Sequence, residues 1–279
     1  MTGPVTIGAI TPHGDLGIAE ACDDTTRHLA VATQRAMDTA ARRIAASRPD
    51  CVVVATPHGV HVNAHVAVVV AGSASGRLDE AATPLELTIA VDVELARVIC
   101  AACTAAGLPA VEVSYGGNQP DEAVMPLDWG AMVPMWHVRR HGRELRAVIV
   151  SPARELDARA HLEAGAAITR AAAASSRRIA FIASADQGHG HDPAGRYGFH
   201  PESAAFDSRI VDIVRRGALG DLAHIPSDDV AAALADSWWQ MLMLAGALEE
   251  NGTGYDCELL AYEAPTYYGM LTALVTPRA

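Results

Sequence analysis

No stretch of this 279-residue chain is both long and apolar. Its purely apolar runs, such as Cys51–Ala55 and Ala147–Val150, fall far short of the roughly 20 residues that cross a bilayer, so a membrane span is not expected. The opening segment Met1-Thr-Gly-Pro-Val5 lacks the basic cluster and apolar core of a secretory signal, which makes the cytoplasm the expected compartment. Basic residues are scarce. The 21 basic residues, all arginine, face 33 acidic residues, a net charge of −12, and no basic stripe is available to follow a phosphate backbone. Nucleic acid is therefore excluded as an expected partner, whereas a small anionic substrate, which responds to local charge, is not. Cysteine is also sparse, at five residues scattered singly through apolar or helical contexts. Cys100 and Cys103 have the spacing of a zinc knuckle, but they lie in an alanine-rich helical stretch, so small buried hydrophobes are the expectation. Repeats, low-complexity tracts and Gly/Ser linkers are missing as well, and residues 1–279 read as a single domain.

What is present is a regular alternation. Val5–Ile10, Cys51–Ala55, His65–Val70, Ala110–Val113, Arg146–Val150, Ile179–Ala183, Glu258–Tyr262 and Leu271–Val275 read as strands. Between them Asp24–Ser47, Asp92–Ala106, Ala158–Ala174, Pro201–Arg215 and Asp236–Leu248 have the length and periodicity of helices. Strands alternating with helices predict an α/β domain with a central mixed, largely parallel sheet covered by helices on both faces.

The polar, motif-like segments cluster where predicted strands end. They are Thr11-Pro-His-Gly14, Thr56-Pro-His-Gly-Val-His61, Ser184-Ala-Asp-Gln-Gly-His-Gly-His191 and Tyr262-Glu-Ala-Pro-Thr266. Sites in open α/β sheets assemble outside the carboxyl ends of strands, so these segments can converge. The repeated Thr-Pro-His-Gly is the strongest internal signal. Proline stiffens the approach, glycine permits a tight exit, and the imidazole between them is aimed at a fixed point. Either histidine alone could simply bond a loop carbonyl; the matched pair, His13 and His58, points to a metal. Two neutral imidazoles plus one carboxylate with open positions make the facial triad of non-haem iron(II) oxygenases. Asp236, before a predicted helix, and Glu263, at a strand end, compete for the carboxylate place. Their ordinary roles would be a helix N-cap and a loop hydrogen bond. His189 and His191, in a glycine-containing polar loop, are candidates for a general base facing the metal. His61 and His65 read as structural, and His28, His141 and His161 as solvent-facing.

Taken together these motifs resemble, in order and over nearly the whole chain, the class III extradiol ring-cleavage dioxygenases. This LigB-like superfamily contains the protocatechuate 4,5-dioxygenase catalytic subunits and the 2-aminophenol 1,6-dioxygenases. The resemblance implies Fe(II) held by His13, His58 and a carboxylate near the start of the last long helix, which points to Asp236 where the family more usually has Glu. It implies that His189 is the acid/base residue. Leu127-Asp-Trp-Gly-Ala-Met-Val-Pro134 is similar to the family's Asp-His-Gly segment, with Trp129 standing where a substrate-contacting His or Tyr is expected. The loop after the ligand helix nominates Thr266 and Tyr267 for the substrate's polar substituent. The implied activity is opening of a catechol or o-aminophenol ring with O2, in aromatic catabolism. The implied assembly is a homodimer, with a small partner subunit over the active site in some relatives. A zinc-dependent hydrolase and a non-enzymatic, Memo-like protein on the same fold are the rival readings.

Overall fold

Apolar runs become strands wherever both faces of the sheet are covered. The computed structural model describes residues 3–278 apart from 80, 117, 120, 121, 142 and 143. In chain order it contains β1 (Val5–Thr11), α1 (Val31–Ala46), β2 (Cys51–Ala55), β3 (Val66–Val69), β4 (Ser73–Leu78), β5 (Leu85–Ala90), α2 (Val93–Ala105), β6 (Ala110–Val113) and β7 (Val124–Pro126). There follow α3 (Trp129–His141), β8 (Arg146–Ser151), α4 (Ala158–Ala174), β9 (Ile179–Ser184), α5 (Pro201–Arg216), α6 (Ser227–Ala232), α7 (Trp238–Asn251), β10 (Tyr255–Glu263) and β11 (Met270–Pro277).

Eight strands form one mixed sheet in the order β10-β11-β1-β9-β2-β8-β3-β6. Its centre, β1-β9-β2-β8, is parallel, so these four strands end at the same edge. Alternate side chains feed two cores. Val53, Val148 and Phe181 pack with α2, α4, α5 and α7 on one face. Val52, Val54, Ala180 and Ile182 pack with α1 and α3 on the other. Each fully buried Ile, Val or Phe contributes about 1.5–3 kcal/mol by leaving water, which is why the central strands keep their polar residues at or near their ends.

The single-domain α/β architecture agrees with the sequence expectation, and three departures have physical reasons. The first helix starts at Val31, not Asp24, because the Asp23 carboxylate accepts the Thr25 and Thr26 N–H groups and holds a turn there. A second sheet, β5-β4-β7, covers part of the α1/α3 side; β4 is too polar to stand out as a strand in the sequence. The helix α3 carries Pro134 in its interior, which argues locally against a helix there. His161, expected in solvent, is fully buried and turns Nδ1 to the Asp157 carbonyl at 2.8 Å. The cysteines are all free, and Cys22, Cys51, Cys100 and Cys103 are buried.

Candidate metal centre

The strand order decides which loops meet. Between β1 and β2 lies only β9, so their ends stand about 10 Å apart, two strand spacings, and side chains can reach inward from both. Pro12 and Pro57 have no N–H with which to continue a ladder, and β1 and β2 end just before them. His13 Nε2 and His58 Nε2 come to 3.0 Å from each other. Asp236, two residues before α7, places Oδ2 3.1 Å from His58 Nε2 and 3.6 Å from His13 Nε2. Its position is set by Gln240, whose side-chain amide donates both to the Ser184 carbonyl at 2.9 Å and to the Asp236 carbonyl at 2.6 Å. Asp236 is not a helix cap. The N-cap of α7 is Ser237, and Asp236 Oδ1 is buried with no hydrogen-bond partner among the described residues.

The donors of His13, His58 and Asp236 form a group able to hold a metal ion. Donors about 2.1 Å from one centre and roughly at right angles stand about 3 Å apart, close to the edges found here. Two imidazole lone pairs at 3.0 Å would repel unless a cation, a proton or a metal, lies between them. The tautomer of His13 is set from behind. Pro134 cannot donate to the Gly130 carbonyl one helical turn earlier, and that freed carbonyl accepts the Ser184 hydroxyl instead. With its own proton committed, Ser184 Oγ accepts from His13 Nδ1–H at 3.0 Å and leaves Nε2 bare toward the group.

Electrostatics favour a cation. Burial opposes ionisation of Asp236, but the His13 charge and hydrogen bonds from His13 and His58 outweigh it and hold this carboxyl well below the usual carboxylate range. Burial alone would lower the pKa of His13; Asp186 and Asp236 beside it raise it instead, to about 9. Asp186 was not singled out in the sequence, although it lies within the Ser184–His191 segment. It is 3% exposed, accepts the His13 backbone N–H at 3.0 Å, and brings Oδ2 3.4 Å from His13 Nε2.

The two glycines of the repeated motif are needed for close approach rather than for a tight turn. Gly14 has φ −68°, open to any residue, but a Cβ there would lie 2.0 Å from the Tyr268 hydroxyl. At Gly59 a Cβ would meet Ser151 Oγ at 2.2 Å.

Trp129, half exposed, stacks on the His58 ring with centroids 4.2 Å apart. Burial pushes the Asp186 carboxyl up, against the opposing charges of His13 and, more weakly, His189. The His189 ring stacks on Tyr268 at 5.7 Å and stands 5.9 Å from Tyr267 and 6.0 Å from Tyr197. His189 Nδ1 is buried without a hydrogen-bond partner among the described residues. Thr266 Oγ1 is in the same condition. His191 is engaged elsewhere, with Nε2 2.8 Å from the Asp207 carboxylate. Glu263 likewise faces away from the histidines and accepts the Thr33 N–H at 2.7 Å, capping the first turn of α1. Tyr268 escaped the sequence reading, although it directly follows Tyr267 in the same loop.

Comparison with known proteins decides the family. The description of the catalytic LigB subunit of aromatic ring-opening dioxygenase matches residues 8–271. The chain belongs to the LigB family. A Clostridium acetobutylicum protein, CA_C1420, is 25% identical over 232 residues, which are 83% of this chain and 49% of that protein. The chain thus spans about half the length of that curated relative. An uncharacterized Escherichia coli K12 protein of known structure, JW3007, superimposes with a TM-score of 0.60 at 14% identity, covering 96% of this chain and 99% of that one, which establishes likeness of fold. As a LigB-family chain, this protein has its motif segments inside the matched range, with His13 near its start and Tyr267 near its end. Among the described residues, no helix is long and apolar enough to cross a membrane.

Proposed function

We propose that this LigB-family protein is an Fe(II)-dependent extradiol dioxygenase that opens the ring of a catechol or o-aminophenol. One ring C–C bond breaks and both atoms of O2 enter the product. The observation that carries the reading is a His-His-Asp group with a third histidine, His189, beside it and uncommitted at Nδ1. Fe(II), when bound to His13, His58 and Asp236, would chelate the two adjacent ring heteroatoms, lower their pKa and supply electron transfer to O2.

The chain's own residues do the rest. His189 accepts the proton of the second ring heteroatom and returns it as the C–C bond breaks, a contribution of about 10²–10⁴-fold for a well-placed acid/base. Its ring is held by the stack on Tyr268, and its Nδ1 has no hydrogen-bond partner among the described residues to compete for that proton. Trp129 covers His58 on the exposed side and offers a flat wall to an aromatic ring. An indole has a donor but no acid/base function, so Trp129 positions substrate and moves no proton. Thr266 and Tyr267 take the ring's polar substituent; the unpartnered Thr266 hydroxyl favours such a role. The reading includes a cytoplasmic homodimer, testable by sedimentation, to which a small partner subunit is added in some relatives.

The test is anaerobic reconstitution with Fe(II), then O2 uptake with a panel of catechols and aminophenols. Expected are one O2 consumed per ring opened and a His189→Ala protein that keeps its iron but turns over about 10²–10⁴-fold more slowly. The reading fails if no substrate supports uptake and His13→Ala leaves metal binding intact. Stoichiometric zinc with hydrolytic turnover would replace it with a zinc hydrolase, whose donor set is the same.

A further inference from the structure

The loop that carries His189 has every backbone donor from 187 to 191 committed, shared among three parts of the fold. Gln187 N–H goes to the Gly269 carbonyl (2.8 Å), His189 N–H to the Ala233 carbonyl (3.0 Å) and His191 N–H to the Tyr267 carbonyl (3.0 Å). The other two are held by side chains of α5. Gly190 N–H donates to Ser203 Oγ at 2.9 Å, and Gly188 N–H to Asp207 Oδ1 at 2.7 Å. Asp207 is fully buried, and its second oxygen accepts from His191 Nε2 at 2.8 Å and from the Tyr262 hydroxyl at 2.7 Å. One carboxylate therefore ties together the residue before His189, the histidine two residues after it, and the end of β10 that leads into Thr266 and Tyr267.

A buried carboxylate is costly unless its lone pairs are satisfied, and here three donors from two segments satisfy it. Loss of either segment's placement leaves the charge under-solvated, so the two are held in one arrangement. His189 itself has no hydrogen bond at Nδ1 to orient it. Its ring direction depends on the backbone of its loop and on the aromatic stack, and the backbone depends on Asp207.

We infer that Asp207 is a positioning residue, which fixes the His189 loop and the Thr266–Tyr267 loop relative to each other and acts on turnover through His189. The inference rests on the ring-opening reading for its kinetic readout, but not for its structural one. In Asp207→Ala, kcat should fall by about thirtyfold with KM changed less than about threefold, the scale found when an outer partner of a functional group is removed. In a His189→Ala background the same substitution should cost less than about twofold, because there is no longer a placed ring to lose. Asp207→Asn should recover most of the loss. Its carbonyl can still accept from Gly188, while the Tyr262 hydroxyl and a retautomerised His191 turn to accept from its amide. Should Asp207→Ala not fold, the same cycle with Asp207→Asn is read instead, with about a threefold loss expected only when His189 is present.

The second readout is amide exchange in the zinc-loaded protein, where no turnover occurs. Gly188 should exchange at least about tenfold faster in the Asp207 variant, with Ala183 in β9 unchanged. Equal losses with and without His189, or an unchanged Gly188 amide, would overturn the inference. If the wild-type protein consumes no O2 with any substrate, the ring-opening reading falls, and the amide measurement alone decides whether Asp207 holds the loop.

Discussion

The loops around His13 and His58 share the tetrapeptide Thr-Pro-His-Gly and a place at the end of a parallel strand, yet their surroundings differ in kind. His13 is 2% exposed, backed by Ser184 and flanked by two carboxylates. The side chain of His58 is 21% exposed and covered by the Trp129 ring. The difference follows from position in the sheet: the loop after β1 lies beneath the Tyr268 loop, whereas the loop after β2 lies beneath the start of α3. Identical local chemistry thus yields an inner imidazole with a preset tautomer and an outer one that is partly open to solvent.

The comparison breaks most sharply on alanine substitution. His13→Ala should weaken metal binding by more than about a hundredfold, since it removes a preoriented donor and leaves Asp186 and Asp236 buried without their counter-charge. His58→Ala should weaken it by about tenfold, read in the same competition titration against a chelator. Comparable losses would mean that the two loops are equivalent after all. Next in size is Ser184→Ala, which frees His13 Nδ1–H and should cost about tenfold in metal affinity while leaving substrate KM unaffected.

The asymmetry also has a pH signature. Because Asp186 and Asp236 hold the metal-free His13 pKa near 9, metal must displace a proton below that value. Affinity should rise by up to about tenfold per pH unit as pH approaches 9, a slope that calorimetry in buffers of different ionisation heat can assign to one proton released. In the metal-free protein the linkage has the opposite sense. A raised histidine pKa stabilises the fold fully below the unfolded value of 6.5, and that stability is lost as pH rises through about 9. The smallest effect belongs to the outer loop. Trp129→Ala should raise substrate KM about threefold to tenfold with metal affinity unchanged, through loss of the stack beside His58.

Much of this site was readable in the chain before any fold was known. The Thr-Pro-His-Gly pair, the polar segment at residues 184–191 and the Tyr262–Thr266 segment all stand directly after apolar runs, so both their strand-end location and their convergence follow from pattern. The choice between Asp236 and Glu263 did not follow. Both are acids at element boundaries, and only the packing of β10 against α1 shows Glu263 spent on the Thr33 N–H. His191 looked as free as His189 until α5 brought Asp207 to it. The helix α3 was hidden because Pro134 is a local argument against it, and tertiary packing of Ala131, Met132, Val133 and Val138 outweighs that argument.

The sequence by itself determined the alternation of buried strands and amphipathic helices, and with it two imidazoles aimed from two strand ends, because periodicity and proline act within a few residues. Only the tertiary structure decided that β9 lies between those strands, that Ser184 and the carbonyl freed by Pro134 turn His13 inward, and that Asp236 meets both rings. Those outcomes depend on strand order and helix packing between residues more than fifty positions apart, over which local propensity has no reach.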